Sequence, residues 1–257
     1  MMKDSLSPFI TEIINIVDQA GDKILEMYRT DFKVDQKSDS SPVTEADRAA
    51  EKIIITGLHH LAKNIPVIAE EEVSCGIVKD ISDNIFWLVD PLDGTKEFIE
   101  NRDEFTVNIA LIKDNVPILG VVGAPALETL YVSTPEGVAF KRNNGGYRKL
   151  IAQRVPSSKA TIVSSRSHGD TDKIRQFIKD TPSAQIKFVG SSLKFCMLAE
   201  GSADIYPRFG NTREWDTAAG DSILRAAGGS VRTLNGEKLC YGKKNFLNGE
   251  FVAYGVN

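Results

Sequence analysis

Only three cysteines occur in the 257 residues, Cys75, Cys196 and Cys240, far apart and with no Cys-x-x-Cys pair. A disulfide framework and a zinc site are therefore disfavoured, and a reducing cytoplasm is the expected compartment. No stretch approaches the ~18 apolar residues of a membrane span. Asp4, Glu12 and Asp18 stand where a secretory leader would need an unbroken apolar run, so neither leader nor span is expected; loose peripheral contact with a membrane stays open. An excess of positive charge is also missing, since 31 Lys and Arg face 35 Asp and Glu for a net charge of −4. That excludes the broad cationic footprint of a protein binding nucleic-acid polymers. A small anionic substrate would need local cations or bound metal. With 20 Gly, 10 Pro, 42% hydrophobic and 26% charged residues, the chain is neither collagen-like nor disordered and can bury a substantial core.

Ile10, Ile13, Ile14, Val17, Ile24, Leu25 and Tyr28 recur at helical spacing behind Ser7-Pro8, which predicts a long first helix with proline in its first turn. The polar stretch from Asp35 to Pro42 has no period and is expected to be a mobile or functional loop. Thr44-Glu45-Ala46-Asp47 is a capping-box pattern opening a second helix. Short β-rich runs at 67–69, 85–89, 105–112, 118–122, 129–132 and 138–142, the last turning at Asn143-Asn144-Gly145-Gly146, predict a largely antiparallel sheet. Beyond Pro156 the pattern alternates: strands at 161–164, 186–189 and 203–207, helices near 171–180, 192–200 and 216–227, then two short strands. The change of pattern divides the chain into an N-terminal lobe, 1–155, and a C-terminal lobe, 156–257, of mixed α/β (α+β) class.

Carboxylates collect at the ends of these strands. Trp87-Leu88-Val89 delivers Asp90 to a strand end, Pro91 is expected to break the ladder, and Asp93 follows where one tight turn can aim both acids at a point. Gly94 and Thr95 would open a helix whose free N–H groups face a phosphate, unless Asp93-Gly94 is only a hairpin turn. Val67-Ile68-Ala69 runs into Glu70-Glu71-Glu72, a solvated loop or, at the mouth of a cleft, a cation site. Asp216 stands where a helix begins and Asp47 in a capping box, so either acid could be explained by capping alone.

Ile68-Ala69-Glu70-Glu71, Asp90-Pro91-Leu92-Asp93-Gly94-Thr95, Trp215-Asp216-Thr217-Ala218-Ala219-Gly220 and Thr44-Glu45-Ala46-Asp47 together resemble the inositol monophosphatase-like, Mg²⁺-dependent, lithium-sensitive phosphatases. The resemblance implies a layered α-β-α-β-α sandwich of the inositol monophosphatase/fructose-1,6-bisphosphatase type, with the active site between two lobes. It implies Mg²⁺ held by Glu71, Asp90, Asp93 and Asp216 with the Leu92 carbonyl, Thr95 and Asp47 as the pair that orients and deprotonates water, and Glu70 as an acid on a metal-bound water. Ala69 and the extra acid Glu72 depart from the commoner pattern and leave open which two of the three glutamates enter the site.

A narrower similarity is to the CysQ-type 3′(2′),5′-bisphosphate nucleotidases. It rests on Lys96-Glu97-Phe98-Ile99, Glu104-Phe105-Thr106-Val107-Asn108, Ser164-Ser165-Arg166-Ser167-His168, Gly190-Ser191-Ser192-Leu193-Lys194-Phe195-Cys196 and Tyr206-Pro207-Arg208-Phe209-Gly210. It implies hydrolysis of the 3′-phosphate of adenosine 3′,5′-bisphosphate, linked to sulfate assimilation, with 3′-phosphoadenylyl sulfate as a further candidate substrate. Gly94, Thr95, Ser165, His168, Ser191, Ser192, Lys194 and Arg208 are the expected substrate contacts, the last two as cations for the phosphate that is not cleaved. Lys194 on a solvated helix face and Arg208 at a surface strand end are the plainer alternatives. An inositol or sugar monophosphatase and a non-catalytic nucleotide- or phosphate-sensing module are the competing functions. No Walker A spacing surrounds Lys194 and no Gly-x-Ser-x-Gly elbow precedes Ser164. Phe195, Met197 and Leu198 have the helical spacing of core residues.

Overall fold

A computed structural model describes residues 6–30, 33–36, 42–144, 146–156, 158–166, 171–181 and 184–256. Helix α1 (Pro8–Met27) starts at Ser7, whose hydroxyl accepts the Ile10 N–H at 3.3 Å. Two short strands, β1 (Val34–Gln36) and β2 (Pro42–Thr44), then pair antiparallel before α2 (Glu45–Leu61). Of the stretch from Asp35 to Pro42 expected to be aperiodic, Asp35, Gln36 and Pro42 belong to this ribbon, and residues 37–41 lie outside the described residues. Strands of three residues are too short to register as a period.

The chain continues through β3 (Val67–Ala69), α3 (Glu70–Ser74), β4 (Ile85–Asp93), α4 (Thr95–Ile99), β5 (Thr106–Lys113), β6 (Val116–Ala124), β7 (Thr129–Ser133), β8 (Ala139–Asn143) and β9 (Gly146–Lys149). These seven strands form one sheet in sequence order. β3 and β4 are parallel and the remaining neighbours antiparallel, including the hairpin in which Asn143 faces Gly146. Next come β10 (Thr161–Ser164), α5 (Thr171–Lys179), β11 (Gln185–Phe188), α6 (Leu193–Ala199), β12 (Ile205–Arg208), β13 (Thr212–Arg213), α7 (Ala218–Ala226), β14 (Ser230–Thr233), β15 (Leu247–Asn248) and β16 (Phe251–Tyr254). A five-stranded sheet runs β11-β10-β12-β16-β14, while β13 and β15 make a small ribbon.

Side-chain alternation explains the stacking, because successive residues of a strand face opposite sides of its sheet. Trp87 and Val89 of β4 join Ile13 and Val17 of α1 and Ile54 and Leu58 of α2 in one core. Phe86 and Leu88 face the other way, into a core shared with Phe195 of α6, Leu224 of α7 and Phe251 of the smaller sheet. Ile162, Ile205 and Val252 cover the far face of that sheet with Phe177 and Ile178 of α5. The order is α1 and α2, seven strands, α6 and α7, five strands, α5. This is the expected α-β-α-β-α sandwich. Among the described residues no helix is long and apolar enough to cross a membrane, and the three cysteines are free.

Candidate active site

Because β3 and β4 are parallel, both leave the sheet at the same edge, and Glu70 and the Asp90–Asp93 segment arrive there together. Pro91 does not end β4. Asp90 lies opposite Asn108 and Asp93 opposite Thr106, so three steps on one strand face two on the other. The expected break is thus a bulge, where a residue lacking an N–H leaves no ladder bond unmade. Asp90 is buried and its Oδ1 accepts the Leu92 N–H at 3.0 Å. Gly94, at φ 93°, caps α4, so the Asp93-Gly94 pair leads into a helix and the hairpin alternative falls.

One carboxylate oxygen from each of Glu70, Asp90 and Asp216 lies within 4.8 Å of the others. Asp216 is not a helix cap, since Thr217 occupies that position of α7. Its Oδ2 instead accepts the Thr212 hydroxyl and, at 3.0 Å, the Arg213 N–H, which turns the side chain back toward Glu70 and Asp93. Burial, reinforced by Glu70, pushes the Asp216 carboxyl up to about 6. Burial and then the Asp216 charge push Asp93 up to about 8, with Lys194 opposing. Acids crowded in this way without a cation hold protons they would otherwise release. The donor set is all oxygen and strongly anionic, so these residues fit a hard divalent cation.

Of the two glutamates, Glu70 rather than the expected Glu71 is the one brought to Asp90 and Asp216. Glu71 is buried, but it lines a neighbouring cavity of about 520 Å³ with Glu51 and Cys75, and its own N–H donates to Glu51 Oε2 at 2.7 Å. Glu70 is the residue that meets Asp90 and Asp216. Consecutive residues of a helix point roughly 100° apart, so at the start of α3 only one of them can face the strand ends. Glu72 pairs with Lys79 at 2.7 Å.

Asp47 accepts from both Thr44 and Thr95. Its Oδ2 closes the capping box, accepting the Thr44 N–H at 2.8 Å and the Thr44 hydroxyl at 2.6 Å. Its Oδ1 lies 3.2 Å from Thr95 Oγ1, which is also 3.2 Å from the Leu92 carbonyl oxygen. Capping alone therefore does not describe this acid. Its second oxygen is directed at the first residue of α4.

A cleft of about 410 Å³ is lined by Glu70, Asp90, Leu92, Asp93, Gly94, Thr95 and Asp216, and by Ser165, Ser191, Lys194 and Arg208. Lys194 is buried, with its Nζ donating to the Ser191 carbonyl at 2.6 Å and the Val189 carbonyl at 3.3 Å and lying 5.1 Å from the Tyr206 ring centre. It is no solvated-face lysine. Burial lowers its pKa to about 8, with Asp93 opposing. Arg208 ends β12; its Nη2 donates to the Asn211 carbonyl at 3.0 Å, and its buried Nε has no hydrogen-bond partner among the described residues. Ser192 is a correction. Its buried hydroxyl donates to Asn108 Oδ1 at 2.7 Å and lies 2.9 Å from Thr106 Oγ1, so it faces β5 and not the cleft. The left-handed backbone of Ser191, φ 50°, turns the two serines apart. His168 lies outside the described residues. Glu97, Tyr206 and Thr212 also line the cleft. Sequence reasoning gave them no role, although Glu97 and Tyr206 fall inside quoted motifs.

The model of the inositol monophosphatase family matches residues 5–254. A 3′(2′),5′-bisphosphate nucleotidase CysQ of Shigella flexneri is 45% identical over 94% of this chain and 98% of its own. The namesake from Escherichia coli K12 is 44% identical over the same shares. Among solved structures, CysQ of Bacteroides thetaiotaomicron superposes with a TM-score of 0.81 at 35% identity, covering 96% of this chain and 97% of its own. An IMPase of Thermotoga maritima gives 0.78 at 25% identity, covering 94% and 89%. With nearly the whole length matched and the acid cluster at the strand ends, the chain belongs to the inositol monophosphatase family.

Proposed function

We propose that this protein is a Mg²⁺-dependent 3′(2′),5′-bisphosphate nucleotidase that cleaves the 3′-phosphate of adenosine 3′,5′-bisphosphate. The observation that carries the reading is one cleft holding both the Glu70, Asp90 and Asp216 cluster and two cations, Lys194 and Arg208. A substrate with two phosphates gives each group an anion to meet, whereas a monophosphate leaves the cations idle. The names of the 44–45% identical relatives support the same substrate class. A cytoplasmic role in sulfate assimilation, with 3′-phosphoadenylyl sulfate as a second substrate, follows from this reading.

We assign the metal to Glu70, Asp90, Asp93, Asp216 and the Leu92 carbonyl; when bound, it supplies charge neutralisation, water activation and stabilisation of the leaving oxygen. Thr95 donates its hydroxyl proton to Asp47 Oδ1, which leaves an oxygen lone pair for the attacking water. Asp47 then receives the proton that the water loses. Ser165, Ser191, Lys194 and Arg208 bind the nucleotide side.

The test is phosphate release from adenosine 3′,5′-bisphosphate, inositol 1-phosphate and sugar monophosphates, with and without Mg²⁺. The expected result is Mg²⁺-dependent turnover with the highest kcat/KM on the bisphosphate. Higher kcat/KM on inositol 1-phosphate would make the protein an inositol phosphatase, and Mg²⁺-dependent binding without release would make it a sensor.

A further inference from the structure

We propose that Glu104 and Arg166 are positioning residues whose ion pair holds the nucleotide-binding segments against the metal-binding turn. The inference deepens the nucleotidase reading and rests on it. Glu104 lies between α4 and β5, on the side of the seven-stranded sheet. Its carboxylate is held by the segments that follow β10 and β11 of the other sheet. The carboxylate accepts two bonds from Arg166, the one from Nη2 at 3.0 Å, and the Gly190 N–H at 2.9 Å. Arg166 Nη2 also donates to the Phe188 carbonyl at 2.8 Å. One carboxylate therefore joins three segments separated by 62 and 86 residues in sequence.

Each tethered residue adjoins a residue of the cleft. Arg166 follows Ser165 and Gly190 precedes Ser191, and both serines line the cleft. The Lys194 ammonium is held by the carbonyls of Val189 and Ser191, on either side of Gly190. Any shift of Gly190 therefore moves the cradle of the cation. The Glu104 main chain is wedged as well. A Cβ built on Gly190 would sit 2.6 Å from the Glu104 carbonyl oxygen and 2.8 Å from Glu97 Cγ, and one on Gly94 would sit 3.1 Å from that same oxygen. Gly94 caps the helix after the metal turn, so Glu104 is in contact with both halves of the cleft.

Neither Glu104 nor Arg166 lines the cleft, so the pair acts through its neighbours. Their side chains keep 28% and 30% of their exposure. Such a partly exposed pair contributes little to global stability. Misplacement of a binding group by an ångström, in contrast, is felt strongly in the contacts that group makes with substrate.

The experiment measures kcat and KM of Glu104→Gln, Arg166→Ala, the double variant and Gly190→Ala on adenosine 3′,5′-bisphosphate and on 3′-AMP, with Lys194→Met alongside. The expected result is a KM for the bisphosphate raised roughly tenfold with kcat little changed, and a several-fold smaller effect on 3′-AMP. The double variant should be no worse than the weaker single one, because the two residues act as a unit. Equal losses on both substrates, a fall in kcat alone, or additive losses in the double variant would overturn the proposal. Failure of Gly190→Ala to fold leaves the two side-chain variants to decide. If Lys194→Met narrows the preference for the bisphosphate and Glu104→Gln does not, the clamp fails while the nucleotidase reading stands. If the wild type shows no preference for the bisphosphate, the nucleotidase reading fails first and the clamp with it.

Discussion

Thr95 Oγ1 and Asp47 Oδ1 lie 3.2 Å apart although 48 residues separate them in sequence. The contact joins the first residue of α4 to the first turn of α2, two helix starts delivered by different strands. Asp47 can serve because its other oxygen is already fixed by the Thr44 N–H and hydroxyl. A carboxylate held on one side presents the other without searching rotamers.

Asp47→Asn should therefore separate catalysis from folding. The amide can still cap α2 through its oxygen, so unfolding should shift by no more than about 1 kcal/mol. Its nitrogen cannot take a proton from Thr95, and kcat should fall by about 10²–10⁴. Near-normal kcat, measured beside thermal unfolding, would remove Asp47 from the reaction.

Glu70 and Glu71 give a sharper comparison. Glu70→Gln removes a charge from the acid cluster and should lower kcat at fixed Mg²⁺ by at least the roughly 10–100-fold that follows loss of an outer partner. Glu71→Gln, in the neighbouring cavity, should leave the Mg²⁺ dependence of kcat close to wild type. Titrations of activity against Mg²⁺ decide the order, and the opposite ranking would restore Glu71 to the metal.

Arg208→Gln tests the grip on the second phosphate. Loss of a charge-assisted contact worth about 1.5–3 kcal/mol should cost about ten- to a hundredfold in kcat/KM on adenosine 3′,5′-bisphosphate. The loss on 3′-AMP should be much smaller, since that substrate brings no second phosphate. Lys194→Met should show the same preference plus a loss on both substrates, because its ammonium also faces Asp93. Identical losses from Arg208→Gln on the two substrates would assign the arginine to the fold.

Glu51 makes stability depend on pH. It is buried, and burial raises its pKa from 4.5 to about 7, against the pull of the Glu71 and Glu72 N–H groups that its oxygens accept at 2.7 and 3.0 Å. A raised folded pKa favours the native state while the acid is protonated. Its contribution is complete below about 4.5 and is lost as pH rises through about 7, a change of up to about 3 kcal/mol. Urea unfolding at pH 5 and pH 8 should show this loss in the wild type and a smaller one in Glu51→Gln. The same difference in both proteins would clear Glu51 of the effect.

Lithium should inhibit the Mg²⁺-dependent reaction, as the family resemblance implies. A monovalent cation in a cluster of three carboxylates neutralises less charge than a divalent one and supports product release less well. Phosphate-release assays with added LiCl, matched by NaCl, check this. Equal response to the two salts would place the protein outside the sensitive group.

Local patterning set much of this protein in advance. The long first helix follows from apolar spacing and Ser7-Pro8, the second from the Thr44–Asp47 box, and the hairpin at Asn143 from turn chemistry, because each depends on neighbours within a few residues. The Asp90–Thr95 turn was legible for the same reason. What sequence could not decide were choices of direction. Whether Glu70 or Glu71 faces Asp90 depends on the angle at which α3 leaves β3, and whether Ser191 or Ser192 faces the cleft depends on one left-handed residue. Lys194 looked like a solvated charge because the carbonyls of Val189 and Ser191, the Tyr206 ring and Asp93 surround it only when α6 is packed between the two sheets. Glu104 gave no sign of its partners for the same reason: a carboxylate that binds residues 62 and 86 positions away has no local pattern to betray it.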